Sequence, residues 1–218
     1  VVVAVWSVKG GVGVTSVAAL VAIGQAERGQ ETVLVDLCGD ASLVLGVDDA
    51  ARNQPGVAEW SSVPLPAADA LARIEIAVRP CLSLVPRGNG PHGDLGPLAS
   101  ALATSERQVI VDCGVIGDDG PSRVVVDAAD ISLLVVRECY LVLQAVKACR
   151  VTPTGVIVIR EPRRGMGLAD VEAVAQAPVV GRIAADSAVT SALDAGLLNA
   201  RLPRRLVKTM AQVVNRAA

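Results

Sequence analysis

Residues 6 to 16 read WSVKGGVGVTS. Gly10, Gly11 and Gly13 let a backbone bend so that successive N–H groups face one point, and a helix starting just after them adds its positive end. That chemistry holds an anion, above all a phosphate. Thr15 places a hydroxyl where Mg²⁺ is ligated beside a bound phosphate. The pattern that cradles nucleotide phosphates ends in Gly-Lys-Ser/Thr, and here Val14 fills the lysine slot. Taken alone, such a loop also serves as a tight turn.

Several elements must position these residues. VVVAVWSV is a continuous β-branched run that predicts a buried strand ahead of the loop, and the pattern from Thr15 to Arg28 predicts a helix ended by Gly29. ETVLVDLCGD, PCLSLVPRGNGP, RQVIVDCGV, ADISLLVVRE, TGVIVIREP and PVVGRIAADS each read as a further strand. Helices are expected over Pro97–Ser105, Tyr140–Ala148, Leu168–Gln176 and Ala188–Ala195. This alternation predicts an α/β protein of three layers, a mostly parallel twisted sheet covered by helices on both faces, with any ligand at the carboxyl ends of the strands. The glycine loop, Asp36 and Asp112 all fall there. The stretches Asp48–Asp69 and Arg87–Gly96 are expected to be mobile surface insertions, and residues 1–218 to form a single domain.

The chain has 218 residues, a formal charge of −2, and only Trp6, Trp60 and Tyr140 as aromatic residues. The core must be built from Val, Leu, Ile and Ala. The aromatic deficit excludes a base-stacking nucleic-acid platform, and the charge gives no global basic field, so DNA is not expected as a main partner. Cys38, Cys81, Cys113, Cys139 and Cys149 are scattered without a C-x-x-C pair, which fits free thiols in a reducing cytoplasm better than disulfides or a zinc site. The longest uncharged stretch, Val12–Ala26, is too short and glycine-interrupted to span a bilayer.

KGGVGVTS resembles the deviant phosphate-binding loop (deviant Walker A) of the MinD/ParA family, K-G-G-x-G-K-T-[ST], a branch of the P-loop NTPases. Lys9 matches its early signature lysine. The likeness continues over nearly the whole chain. VLVDLCGDASLVLGV is similar to the family's second strand and switch I, and VIVDCG to its Walker B strand, with Asp112 as the aspartate. AADISLLVV and PVVGRIAADSAVTSALDAGL resemble two later landmarks. The resemblance implies a P-loop NTPase fold and an ATP-dependent homodimer. Lys9, Gly10, Gly11, Val12, Gly13, Val14, Thr15 and Ser16 would form the nucleotide loop, Thr15, Asp36 and Asp112 the Mg²⁺ shell, and Lys9 would reach across to the partner's phosphates.

The sequence departs from that family at three positions. Val14 replaces the lysine that clamps the β- and γ-phosphates, Cys38 takes the second acidic slot of a D-x-D switch I, and Ile159 stands where an asparagine would meet adenine. Loss of a charge-assisted hydrogen bond of about 1.5–3 kcal/mol lowers affinity ten- to hundredfold, and hydrolysis, which needs positioned positive charge and an oriented water, suffers more. The expectation is a pseudo-ATPase or very weak ATPase that binds ATP and Mg²⁺ weakly or not at all. PGVAEW and the segment from RRGMGLADVEAV onward are similar to the divergent TadZ/CpaE-like branch. That likeness implies a dimeric positioning or scaffold protein for pilus-secretion machinery, cytoplasmic, polar or peripheral at the inner membrane. The alternative is an active ParA/MinD-type ATPase in chromosome or plasmid partitioning or division-site placement. An enzyme using this fold for metal-cluster chemistry lacks a C-x-x-C signature.

Other residues carry bland readings beside functional ones. In PRRLVKTMAQVVNRAA, Leu206, Val207, Met210, Val213 and Val214 share a face; packing on the domain is favoured over a membrane-lying helix. Arg160, Arg163 and Arg164 form a basic cluster best read as a solvated loop. Trp60 is either a partner anchor or a buried residue, Cys38 and Cys113 are either redox-sensitive or fillers, and His92 has no evident role.

Overall fold

In the computed structural model the chain is described over residues 1–48, 53–117, 120–160, 167–184, 198 and 203–218. Eight strands run in the order β3-β4-β2-β5-β1-β6-β7-β8 across one sheet: β1 Val2–Ser7, β2 Thr32–Asp36, β3 Ile76–Arg79, β4 Leu82–Val85, β5 Gln108–Val115, β6 Ile131–Arg137, β7 Gly155–Arg160 and β8 Val179–Ala184. All pairings are parallel except β3 with β4. This bears out the expected α/β sheet and adds β3, an edge strand whose side chains are only half buried. Its four residues carry too little hydrophobic signal to stand out beside β4.

The central strands are hydrophobic on both sides because helices cover both faces. Every residue of β1 and β2 is buried. Trp6, fully buried in β1, donates its indole N–H to the Ser132 hydroxyl of β6 at 2.7 Å.

The helix after the loop, α1, spans Val14–Ala26 and is apolar all round. An apolar helix of that kind must be covered on its outer side as well. The covering element is the last helix, Arg204–Ala217, whose Met210, Ala211, Val213 and Val214 are buried. Gln25 of α1 and Arg28, just past its end, both donate to the Ala211 carbonyl, at 3.1 and 3.0 Å. The terminal helix therefore packs on the domain, as its amphipathic pattern favoured.

Among the described residues between β2 and β5 lie α2 Ala41–Leu45, α3 Val57–Ser61, α4 Ala70–Arg73 and α5 Gly96–Ala103. Arg123–Ala128 forms α6, Tyr140–Ala148 α7 and Leu168–Ala175 α8, with the terminal helix as α9. Two expectations are corrected here. The described part of Asp48–Asp69 and the stretch Arg87–Gly96 are not free loops but are joined to each other. Val57 and Ala58 donate to the carbonyls of Pro86 and Arg87 at 2.9 and 2.8 Å. The Glu59 carboxylate accepts the N–H groups of Gly56 and Asn89, at 2.7 and 2.9 Å, and Ser61 accepts that of Gly93 at 3.0 Å. Trp60 is buried, with its indole N–H on the Ala67 carbonyl at 2.9 Å. The expected helix Ala188–Ala195 and Arg163 and Arg164 lie outside the described residues.

Candidate functional site

Three adjacent central strands, β2, β5 and β1, end side by side, and their last residues build the site. Asp36 and Asp112 are direct neighbours across the β2–β5 pair, and Val5 of β1 is the other neighbour of Asp112. The glycine loop leaves β1 at this edge. Gly11 and Gly13 have φ of 73° and 98°, a left-handed backbone that favours glycine, and a Cβ on either would meet nothing within 4 Å. The space above the loop is therefore open.

Gly13 stands just ahead of α1 with no side-chain cap, so the N–H groups of the helix's first turn are left to solvent or an anion. A cleft of about 470 Å³ covers the loop, bounded by Lys9, Thr15, Cys38, Leu43 and Val115. Of the expected loop residues, Lys9, Gly10, Gly11, Gly13, Val14, Thr15 and Ser16 line it. Val12 does not; its side chain turns into the core. Val14 is the first residue of α1 and is buried where it meets the cleft. Lys9 is exposed.

The two aspartates behave differently. Asp36 caps the segment that follows it: Oδ1 accepts the N–H groups of Cys38 and Gly39 at 2.8 and 2.7 Å, and Oδ2 that of Ala41 at 3.0 Å. Burial pushes its pKa up against these hydrogen bonds. Asp112 is fully buried. Its Oδ1 accepts the Gly114 N–H at 3.1 Å and the Cys38 thiol at 3.5 Å, while Oδ2 has no well-directed hydrogen bond. Burial raises the Asp112 pKa to about 6, opposed by the nearby Thr15 hydroxyl and reinforced by Asp36.

Gly114, with φ of 62°, makes room for Cys38, since a Cβ there would overlap Sγ. Burial, followed by the charges of Asp112 and Asp36, drives the Cys38 thiol pKa far upward, so the thiol is held protonated. Cys113 points the other way into the core and is a buried filler.

Oxygen donors from Thr15 and Asp112 fit Mg²⁺, and the bare Oδ2 of Asp112 is a buried acceptor that a cation would satisfy. The third expected donor, Asp36, is engaged by three backbone N–H groups, and Cys38 beside it adds a sulfur, which does not suit a hard cation. From sequence, Cys38 reads as a missing acid and as a thiol that is either redox-sensitive or a filler. Nothing there signals that the thiol would bond the Walker-B-like aspartate, because that contact joins residues from different strand ends.

His92, which has no evident role in the sequence, has a partner in the fold. It donates from Nε2 to the Leu37 carbonyl at 2.9 Å, tying the loop before α5 to the segment after β2. Ile159 is half-buried in β7, paired with Arg137 and Ile183, and offers no polar group to a base.

A mostly parallel sheet with an uncapped glycine loop at its centre defines a P-loop NTPase fold of the ParA/MinD kind. The family model described as cellulose biosynthesis protein BcsQ matches residues 1–136, and the chain belongs to that ParA/MinD-like family. Among solved structures it is similar to the ParA family ATPase from Chlorobium tepidum TLS, with 19% identity, TM-score 0.75, and 98% of this chain and 97% of that one covered. The cell division ATPase MinD of Pyrococcus furiosus gives 18% identity, TM-score 0.74, and coverage of 100% and 99%. A Cyanothece McdA variant in complex with ATP gives 18% identity, TM-score 0.73, and coverage of 99% and 95%. At these identities the likeness is one of fold. No curated protein matches.

Proposed function

We propose that residues 1–218 form one ParA/MinD-like nucleotide-binding domain that acts as a dimeric platform, with ATP hydrolysis absent or very slow. The observation that carries this reading is Val14, a buried apolar side chain at the first position of α1, where the family's loop places an ammonium. The backbone from Lys9 to Ser16 still offers N–H donors to phosphate, and Thr15 and Asp112, with Asp36 behind them, are the residues for the Mg²⁺ that accompanies ATP. Lys9, free at the cleft mouth, is the group that would cross to the phosphates of a second copy. Valine in place of the loop lysine at position 14 lowers affinity ten- to hundredfold. Cys38 in place of a carboxylate also removes an acceptor for orienting water. Binding then outlasts catalysis.

The likeness to the TadZ/CpaE branch supports a cytoplasmic protein that positions pilus-secretion machinery at the pole or inner membrane, while the family's description ties it to cellulose biosynthesis. One of the similar solved structures is a MinC:MinD complex from Aquifex aeolicus, and by analogy the platform binds protein partners rather than DNA. Active partitioning or division-site ATPase activity is the second reading. Val14 and Cys38 both weigh against it.

Calorimetric titration with ATP and Mg²⁺, repeated with ADP, tests the proposal. Micromolar to submillimolar binding without measurable turnover supports it. Turnover at ordinary ATPase rates overturns it in favour of the second reading. No binding at millimolar nucleotide overturns the nucleotide part and leaves a protein scaffold.

A further inference from the structure

Asp36 and Asp112 are two fully buried carboxylates side by side, and among the described residues no ion pair involves either of them. Buried carboxylates are paired, protonated or bound to metal. Cys38 joins them from the cleft side, and one donor atom from each of the three residues lies within 4.8 Å of the others. The fully buried Asp112 keeps Oδ2 without a well-directed partner, and Asp36 Oδ2 takes a single N–H and retains a lone pair.

One separation suits a soft ion, as it also suits the thiol hydrogen bond that such an ion would replace. A sulfur about 2.3 Å and a carboxylate oxygen about 2.1 Å from one tetrahedral ion lie about 3.6 Å apart. Cys38 Sγ and Asp112 Oδ1 are 3.5 Å apart. Cys38 also borders the cleft, which gives an ion a way in.

We propose that Cys38, Asp112 and Asp36 form a site for a thiophilic divalent cation of the zinc, cobalt and cadmium class at the base of the glycine-loop cleft. The metal–sulfur bond replaces the S–H bond, and the thiol proton leaves to solvent. No electron is transferred. The ion takes one sulfur and two carboxylate oxygens, leaving a fourth position towards the cleft for water or a phosphate oxygen. Thiolate ligation selects such ions over Mg²⁺, which prefers an all-oxygen shell. The site needs no nucleotide, but it shares Asp112 and Asp36 with the Mg²⁺ shell of the proposed ATP site, so the two ions compete and each is first tested in the absence of the other.

The test is cobalt titration of the full chain, stripped with chelator and free of nucleotide. The expected result is a near-ultraviolet sulfur-to-cobalt charge-transfer band that saturates at one equivalent. It is lost in Cys38→Ser, kept in Cys113→Ser, and needs at least tenfold more cobalt in Asp112→Asn. Cys38→Asp should give no band yet remain folded by circular dichroism, which guards against a serine variant that merely unfolds. Magnesium in hundredfold excess should leave the band of the unmodified protein in place. Absence of the band, its survival in both Cys38 variants, or its loss to equimolar magnesium overturns the proposal. Calorimetry with ATP on the same preparation reports the nucleotide reading independently.

Discussion

Gly24 of α1 lies against the backbone of Ala211 in α9 so closely that a Cβ on Gly24 would stand 2.7 Å from the Ala211 nitrogen. The neighbour is main chain, so it cannot rotate away. Alanine at this position gains about 1 kcal/mol of helix propensity but costs about 1–3 kcal/mol in overpacking, and leucine costs more. Urea unfolding should show Gly24→Ala no more stable than the parent and Gly24→Leu clearly less stable, with α1 newly exposed to a hydrophobic dye. A stabilised Gly24→Ala protein would mean that the two helices do not meet as described.

Val14→Lys should raise ATP affinity ten- to hundredfold, since it restores a charge-assisted hydrogen bond of about 1.5–3 kcal/mol on an otherwise intact loop. The lysine stem can lie where the valine is buried while its head reaches the cleft. Calorimetry on both proteins decides this. An unchanged affinity would show that the open cradle formed by Gly11 and Gly13 does not receive phosphate.

Asp112 gives a pH dependence of definite sign. Its carboxyl is raised from 3.8 to about 6 by burial, so the folded protein holds this proton more tightly than the unfolded chain does. Stability therefore falls as pH rises between those two values, by up to about 3 kcal/mol from this group, and is level above them. Asp112→Asn removes this group's share, while Asp36, whose carboxyl burial also raises, keeps a dependence of the same sign in both proteins. Glu59 and Glu75, whose pKa values are lowered, act in the opposite direction but cancel in the comparison of parent and variant. Urea midpoints in chelator from pH 4 to pH 7 should show the parent losing stability relative to Asp112→Asn until about pH 6. A constant difference would contradict the buried, unpaired state of this carboxyl.

Trp60→Ala should cost about 3–5 kcal/mol, because it removes a buried indole and leaves the Ala67 carbonyl without its donor. The same variant should speed proteolytic cleavage within residues 53–66 before the rest of the chain is cut. Cleavage at the parent's rate would mean that this segment does not depend on Trp60 for its packing.

The strands that carry the site were legible because parallel strands buried on both faces appear as unbroken runs of Val, Ile and Leu. The glycine loop and its two following hydroxyls were legible for the same local reason. What escaped was held by contacts distant in sequence. The stretch around Trp60 is rich in Pro, Ala and Ser and reads as loose, yet Glu59 and Ser61 fasten it to residues about thirty positions later. β3 is short and half-exposed, so its pattern could not compete with its neighbours. His92 offered no partner in sequence because its partner is the main-chain oxygen of Leu37. Cys38 could be recognised as a departure, but its bond to Asp112 required the strand order. The C-terminal helix was resolved by α1, whose lack of any polar face demands a cover.

The three N–H groups gathered on Asp36 have a consequence for communication. A ligand shifts a conformational balance only by binding one arrangement better than another. Residues 37–41 are folded around that carboxylate and fastened from outside by His92, and a ligand that leaves these four hydrogen bonds in place leaves the segment's outer side as it is. Filling the cleft therefore finds little slack to take up here, and the segment transmits little news of occupancy to whatever touches its outer side. A partner reading this surface meets a standing landmark rather than a clock hand.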